Sequence, residues 1–246
     1  MLRTLSLFLF LLIFGFNSYG QKNVFSFGGG YSLPIGKFAS KALDDPKAGM
    51  AGSGYFGQVN YERKLSSVIG LRLSANHNIN STNPEPLIQK ANELVDMYRM
   101  LIGEYGQYSW TSDAGDWKQS SLMIGPALYI PLGPLTLEAH AQAGRLFITS
   151  PKVSLQGTST SGNNPIDAVM LPVKAQAWGA GGGVSLRIPL GSVVQFKLFA
   201  EAIAAEATFK DIALRGTVAS IPASHQIDEK RTVGVVNAGA GFAFRF

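Results

Sequence analysis

The 246-residue chain contains no cysteine. That absence excludes a disulfide framework, a thiolate nucleophile, a thiolate metal site and a lipid-modified cysteine behind a leader. Charge is scarce as well. Asp, Glu, Lys and Arg make up 15% of residues, and the formal net charge of +5 is spread along the chain rather than clustered. Without a basic cluster, nucleic acid is not a fitting partner. Hydrophobic content is 46%, yet after Phe16 no apolar run reaches the ~20 residues of a spanning helix. Only three histidines occur, His77, His140 and His225, and none sits at metal-ligand spacing. The glycine runs 28–30 and 181–183 lie inside strand-like segments and do not open a helix, so they make no phosphate-cradling loop. No metal or cofactor is expected.

What is present begins with an address. Arg3 supplies one positive charge, Leu5 to Phe16 is almost wholly apolar, and Ser18 and Gly20 stand at the minus-three and minus-one positions before Gln21. This is the layout of a secretory signal peptide. Residues 1–20 are read as that signal and 21–246 as one domain.

Eight segments of the domain alternate with the period of two that strands require. They run Val24–Leu33, Ala51–Glu62, Val68–Asn78, Ser121–Ile130, Leu135–Leu146, Trp178–Ile188, Val194–Ala204 and Thr232–Phe246. In the last, Phe242, Phe244 and Phe246 share one face and Asn237 and Arg245 the other. The fourth is a weaker match, because neither of its faces is polar. The apolar faces carry no charge on this reading. The opposite faces carry Glu62, Arg72, Glu138, His140, Arg187, Lys197, Glu201 and Arg245. A charge on a lipid face costs roughly 2–4 kcal/mol at mid-bilayer, so such sorting is informative.

The connections alternate short and long. Short ones follow Glu62, Ile130 and Ile188, with Ser, Gly or Pro at the turn; long ones are Pro34–Met50, Ile79–Ser120, Phe147–Gln176 and Ala205–Lys230. In hydrocarbon every backbone N–H and C=O must pair internally, which leaves helices or closed barrels. The pattern therefore predicts an all-β fold, an eight-stranded antiparallel up-and-down transmembrane β-barrel with short periplasmic turns and long external loops. Tyr31, Tyr61, Tyr129, Trp178, Phe244 and Phe246 lie near span ends, where interfacial aromatic girdles sit.

The segments GGGYSLPIGKFAS and GQVNYERKLSSVIGLRLS, the repeated I-P-L-G turns and the terminal GAGFAFRF resemble the small OmpA/OmpX-type outer-membrane barrels, in the form common among Bacteroidota. The resemblance runs over the whole of 21–246. It implies residence in the cell outer membrane among lipid and lipopolysaccharide. It also implies that Phe242, Phe244 and Phe246 form a signal read by the barrel-assembly machinery.

Eight strands leave an interior just wide enough for side chains. The inward charges are thus expected to form an ion-pair network that plugs the lumen, with a small-solute channel as the alternative. The second long loop holds one amphipathic helix, Pro84–Tyr105, whose apolar face includes Leu87, Leu94, Tyr98 and Leu101. That face is expected to pack on loop residues such as Trp110 and Trp117, or to meet a surface protein partner. A lipid A-modifying hydrolase is the remaining alternative, from His77 with Ser81 near the external rim, but no orienting acid stands beside them. The expected function is non-enzymatic: envelope integrity, with surface interaction through the external loops.

Overall fold

The computed structural model describes residues 23–42, 45, 47–102, 106–161, 165–218 and 221–246, with the backbone alone at 98–102, 218 and 221. The expected signal peptide, 1–20, lies outside the described residues. In chain order the strands are β1 (Asn23–Pro34), β2 (Ala51–Lys64), β3 (Ile69–Thr82), β4 (Tyr108–Ala114), β5 (Trp117–Leu132), β6 (Leu135–Thr149), β7 (Val153–Ser159), β8 (Ile166–Met170), β9 (Lys174–Pro189), β10 (Val194–Val218) and β11 (Ile221–Arg245). The helix α1 (Glu85–Ile102) falls between β3 and β4.

Eight of these strands pair in a circuit. β1 joins β2, then β3, β5, β6, β9, β10 and β11 follow, and β11 returns to β1, every pairing antiparallel. The expected closure appears residue by residue, with Phe25 opposite Phe244 and Phe27 opposite Phe242. A row of partners traced from Ile188 through Phe196, Phe242, Phe27, Val59, Ala75, Leu122 and Arg145 returns to β9 at Trp178, ten residues from its start. That offset is the stagger that tilted strands acquire when a sheet closes. Short turns close three hairpins: Leu65 N–H donates to Ile69 O at 2.9 Å, Leu190 N–H to Val194 O at 2.9 Å, and Gly133 takes a φ of +63° that favours glycine.

Alternation then sorts the side chains. Phe25, Phe27, Val59, Leu71, Leu122, Ile124, Leu128, Leu198 and Phe242 are exposed on the outside, while Ser26, Gln58, Asn60, Ser74, Asn76 and Asn78 are buried inside. Where the ring crowds, glycine is needed: a Cβ on Gly28 would stand 2.6 Å from the Ala240 carbonyl and 2.9 Å from the Phe199 ring.

The structure differs from the sequence reading in four places. The described residues contain eleven strands, not eight, because the stretches expected as loops hold β4, β7 and β8. The supposed loop Ala205–Lys230 is a hairpin, β10 and β11 pairing continuously beyond the ring with one shift between Phe209 and Ile212. β8, β7 and β4 then add to its flank through β10. Tyr129, expected at the outer girdle, points inward and is 1% exposed. Finally, Arg145 shares the outward parity of Ala141 and Ala143, so the outer face does carry a charge.

Candidate functional site

The interior is built in three levels. Nearest the short turns lies a charge cluster assembled from six of the ring strands. Register sets its height: Glu62 on β2 stands opposite Arg72 on β3, and Arg187 on β9 opposite Lys197 on β10. Arg72 Nη1 donates to Glu138 Oε1 at 2.7 Å and approaches Glu62 Oε1 at 3.5 Å; its Nη2 donates to Asn60 Oδ1 at 2.8 Å. Arg187 bridges Glu62 and Glu138 across the ring. Lys197 Nζ sits 3.6 Å from Glu62 and 3.4 Å from Glu138. His140 lies between Glu138 and Glu201, at 3.4 and 3.6 Å, and Glu201 is 3.8 Å from Arg72.

Three carboxylates, Glu62, Glu138 and Glu201, thus face three cations, Arg72, Arg187 and Lys197. All six are buried. Balance matters, because an unpaired ion taken out of water costs several kcal/mol. Two neutral donors complete the carboxylates: Ser185 Oγ donates to Glu138 Oε2 at 2.7 Å and Tyr129 O–H to Glu62 Oε2 at 2.8 Å, with Arg187 stacked 5.3 Å over the tyrosine ring. The sequence reading missed Tyr129 and Ser185. The signal available for Tyr129 was its parity with Met123 and Ala127. Arg245 is the one expected member that the structure leaves out; it faces inward at the end of β11 and makes no ion pair among the described residues.

Above the cluster is a layer of amides. Asn78 Nδ2 donates to Ser32 Oγ at 2.8 Å and Asn237 Oδ1 at 2.6 Å, and Ser74 Oγ donates to Gln142 Oε1 at 2.8 Å. The side-chain amides of Gln58, Asn76 and Gln119 are buried without protein partners.

The third level is apolar and is built partly by the first long loop. Phe38, from the 3-10 turn Gly36–Phe38, packs edge-on against Trp117 at 5.2 Å, and Trp117 against Phe209 at 5.8 Å. Trp117 Nε1 donates to the Gly49 carbonyl at 3.0 Å. A Cβ on Gly49 would meet the Phe38 ring at 2.6 Å, so glycine lets the loop fold back over its own aromatic. Leu146, Ile148, Ile203, Val233 and Val235 complete the layer. Exposed ion pairs hold the loop: Lys37 donates to Asp45 Oδ2 at 2.7 Å, and Lys47 to Glu206 Oε1 at 3.2 Å. The Lys37 ammonium, then the Lys47 backbone N–H, hold the Asp45 carboxyl below its ordinary value. Lys230 and Lys47 do the same for Glu206.

The remaining candidates stand apart. His77 faces outward, and its Nδ1 lies 2.8 Å from Ser120 Oγ rather than from Ser81, whose hydroxyl donates to the Ser53 carbonyl. No carboxylate among the described residues pairs with His77. His225 lines a pocket of about 370 Å³ with Leu87, Met170 and Leu214. α1 is tied to β4 by Trp110 Nε1 donating to Asn92 Oδ1 at 2.7 Å; Trp117 is inside the ring and does not receive the helix. Leu94 is exposed, and the side chains of Tyr98 and Leu101 lie outside the described residues. Phe242, Phe244 and Phe246 face outward, Phe244 stacking on Phe27 at 5.9 Å.

No protein-family model matches the chain, and no curated protein matches it. Solved structures do. A major outer membrane protein from Thermus thermophilus is 14% identical with a TM-score of 0.48, covering 92% of this chain and 98% of that one. Ail, the attachment invasion locus protein of Yersinia pestis, is 12% identical with a TM-score of 0.40, covering 91% and 99%. The outer membrane protein OprG from Pseudomonas aeruginosa is 12% identical with a TM-score of 0.39, covering 94% and 99%. These structural neighbours are outer-membrane β-barrel proteins.

Two outcomes test the interior. Replacing Glu138 with alanine leaves Arg72, Arg187 and Lys197 to share Glu62 and Glu201, an unbalanced buried charge, and lowers stability by about 3–5 kcal/mol, read from urea unfolding in detergent micelles. The loop ties follow pH. A carboxyl held below its unfolded value stabilises the fold above that value, and the stabilisation is lost as pH falls through the folded one. In a W110F/W178F background, Trp117 emission stays constant from neutral pH to about pH 4 and shifts to the red only below it.

Proposed function

We propose that the chain is an integral outer-membrane β-barrel with a closed lumen and no catalytic activity. It would be exported by residues 1–20 and inserted by the assembly machinery through its Phe242-Phe244-Phe246 face. Its role would be envelope integrity, with surface interactions through the long connections and α1. One observation carries the reading: burial is inverted relative to a water-soluble ring. The outer face is a continuous exposed band of Phe, Leu, Ile and Val, and the inside holds a charge-balanced network. A contiguous apolar surface of that kind calls for lipid. Closure supports it, since a ring leaves no unpaired edge for hydrocarbon to meet.

The lumen is read as closed because two unlike barriers lie in series, the ion cluster and the Phe38–Trp117–Phe209 layer. The purified protein in planar bilayers is expected to give no sustained ohmic step currents; currents of porin size would overturn the closed reading. Topology has its own check. Trypsin on intact cells is expected to cut within 37–47, 90–99 or 210–230. Cuts confined to the short turns, such as Lys64, would invert the orientation.

A further inference from the structure

Arg145, a charge set deep in the outward face of the ring, marks a second feature. Arg145 faces outward on β6, where its guanidinium lies 5.3 Å over the Trp178 ring and Nη2 donates to Gln176 Oε1 at 3.1 Å. Four residues further along β6, toward the long connections, Thr149 stands between Lys118 on β5 and Lys174 on β9, each directly opposite it. Both lysines are exposed and have no ion-pair partner among the described residues. The residues between them on the same face are Ser120, Phe147, Gln176 and Leu122, none acidic. The nearest acid of like parity, Asp116, is exposed beyond Lys118 and makes no ion pair with it. In the same row of strand partners as the two lysines lie Tyr55 and Tyr31, their rings tilted against each other at 6.2 Å and both exposed.

We infer that this face of β5, β6 and β9 is a binding site for a phosphate-bearing membrane lipid headgroup. The inference rests on the outer-membrane reading above. Lys118 and Lys174 stand about 10 Å apart across two strand spacings, and Arg145 about 13 Å deeper along its strand. A headgroup with more than one phosphate spans such separations. The chemistry of each position suits its depth. The exposed Trp178 ring sits where an amphipathic aromatic meets the interface. Arg145 lies over that ring and spends only Nη2 on Gln176, so it keeps guanidinium donors for phosphate oxygens. The lysines above it are flexible point charges that reach along the headgroup layer. Three cations with no carboxylate partner among the described residues, at the margin of an apolar band, need an anion supplied by the surroundings. A zwitterionic surface does not supply it in excess; a phosphorylated lipid does.

Native mass spectrometry of the full mature protein released from detergent micelles tests the assignment, with bisphosphorylated lipid A and its dephosphorylated form as probes. The wild-type protein is expected to retain the bisphosphorylated lipid. The triple variant Lys118→Gln, Arg145→Gln, Lys174→Gln is expected to lose about a hundredfold in retention. A control triple variant at Lys41, Lys90 and Lys210 removes the same charge elsewhere and is expected to retain lipid as the wild type does. Equal loss in both triples, equal retention of the dephosphorylated lipid, or displacement by millimolar inorganic phosphate would each overturn the site. Insertion into vesicles, followed by strand circular dichroism, keeps the two readings separate. If the triple variant inserts normally but retains lipid A unchanged, the site falls and the barrel stands; if the wild type does not insert, the barrel itself falls.

Discussion

Everything in this molecule depends on one pairing, that of the last strand with the first. Until β11 meets β1, the strands of the ring present two open edges, each a row of unpaired N–H and C=O groups. The pairing of Val24 with Arg245 through to Pro34 with Val235 removes both edges together. Closure also gives the alternation its meaning. In a lone sheet with nothing packed on either face, closure into a ring is what divides side chains into one enclosed set and one that faces the surroundings.

The enclosed set is organised by electrostatics at one end and packing at the other. Glu62, Glu138 and Glu201 come from strands that do not all touch, and their cations reach them across the ring. Such a cluster is costly to desolvate and costly to break, so its worth lies in fixing which strands stand opposite each other. The apolar end needs no such balance. There the chain folds Phe38 inward from a connection and lays it on Trp117, so a loop becomes part of the interior. Between the two, Gln58, Asn76 and Gln119 keep amides without protein partners, a layer polar enough for internal water.

Beyond the ring, β10 and β11 do not end. They continue as a hairpin to Val218 and Ile221, and β8, β7 and β4 extend its sheet. The molecule thus joins a closed half, in which every strand has two neighbours, to an open half with an edge at β4. α1 docks on that open half through Asn92 and Trp110. Surface interactions proposed for the long connections would therefore be made by ordered sheet as well as by loops.

Most of the ring was legible in the residues alone: eight amphipathic segments, their order, the short turns, and the inward placement of Glu62, Arg72, Glu138, Arg187 and Lys197. These are local properties, since parity along a strand and a turn at Gly133 need no knowledge of distant residues. What remained was settled by the folded chain. Tyr129 joins Glu62 because stagger brings β5 and β2 to one height, which no pattern within β5 reveals. Arg245 has the same parity as Lys197, yet it stands at the end of its strand, past the level where the carboxylates gather. The extra strands beyond the ring lack strong alternation, because the open sheet is not enclosed on one side. Arg145 was readable from parity alone as an outward charge; that it lies over Trp178, beneath two lysines from neighbouring strands, depends on register, and register is fixed only when the ring closes.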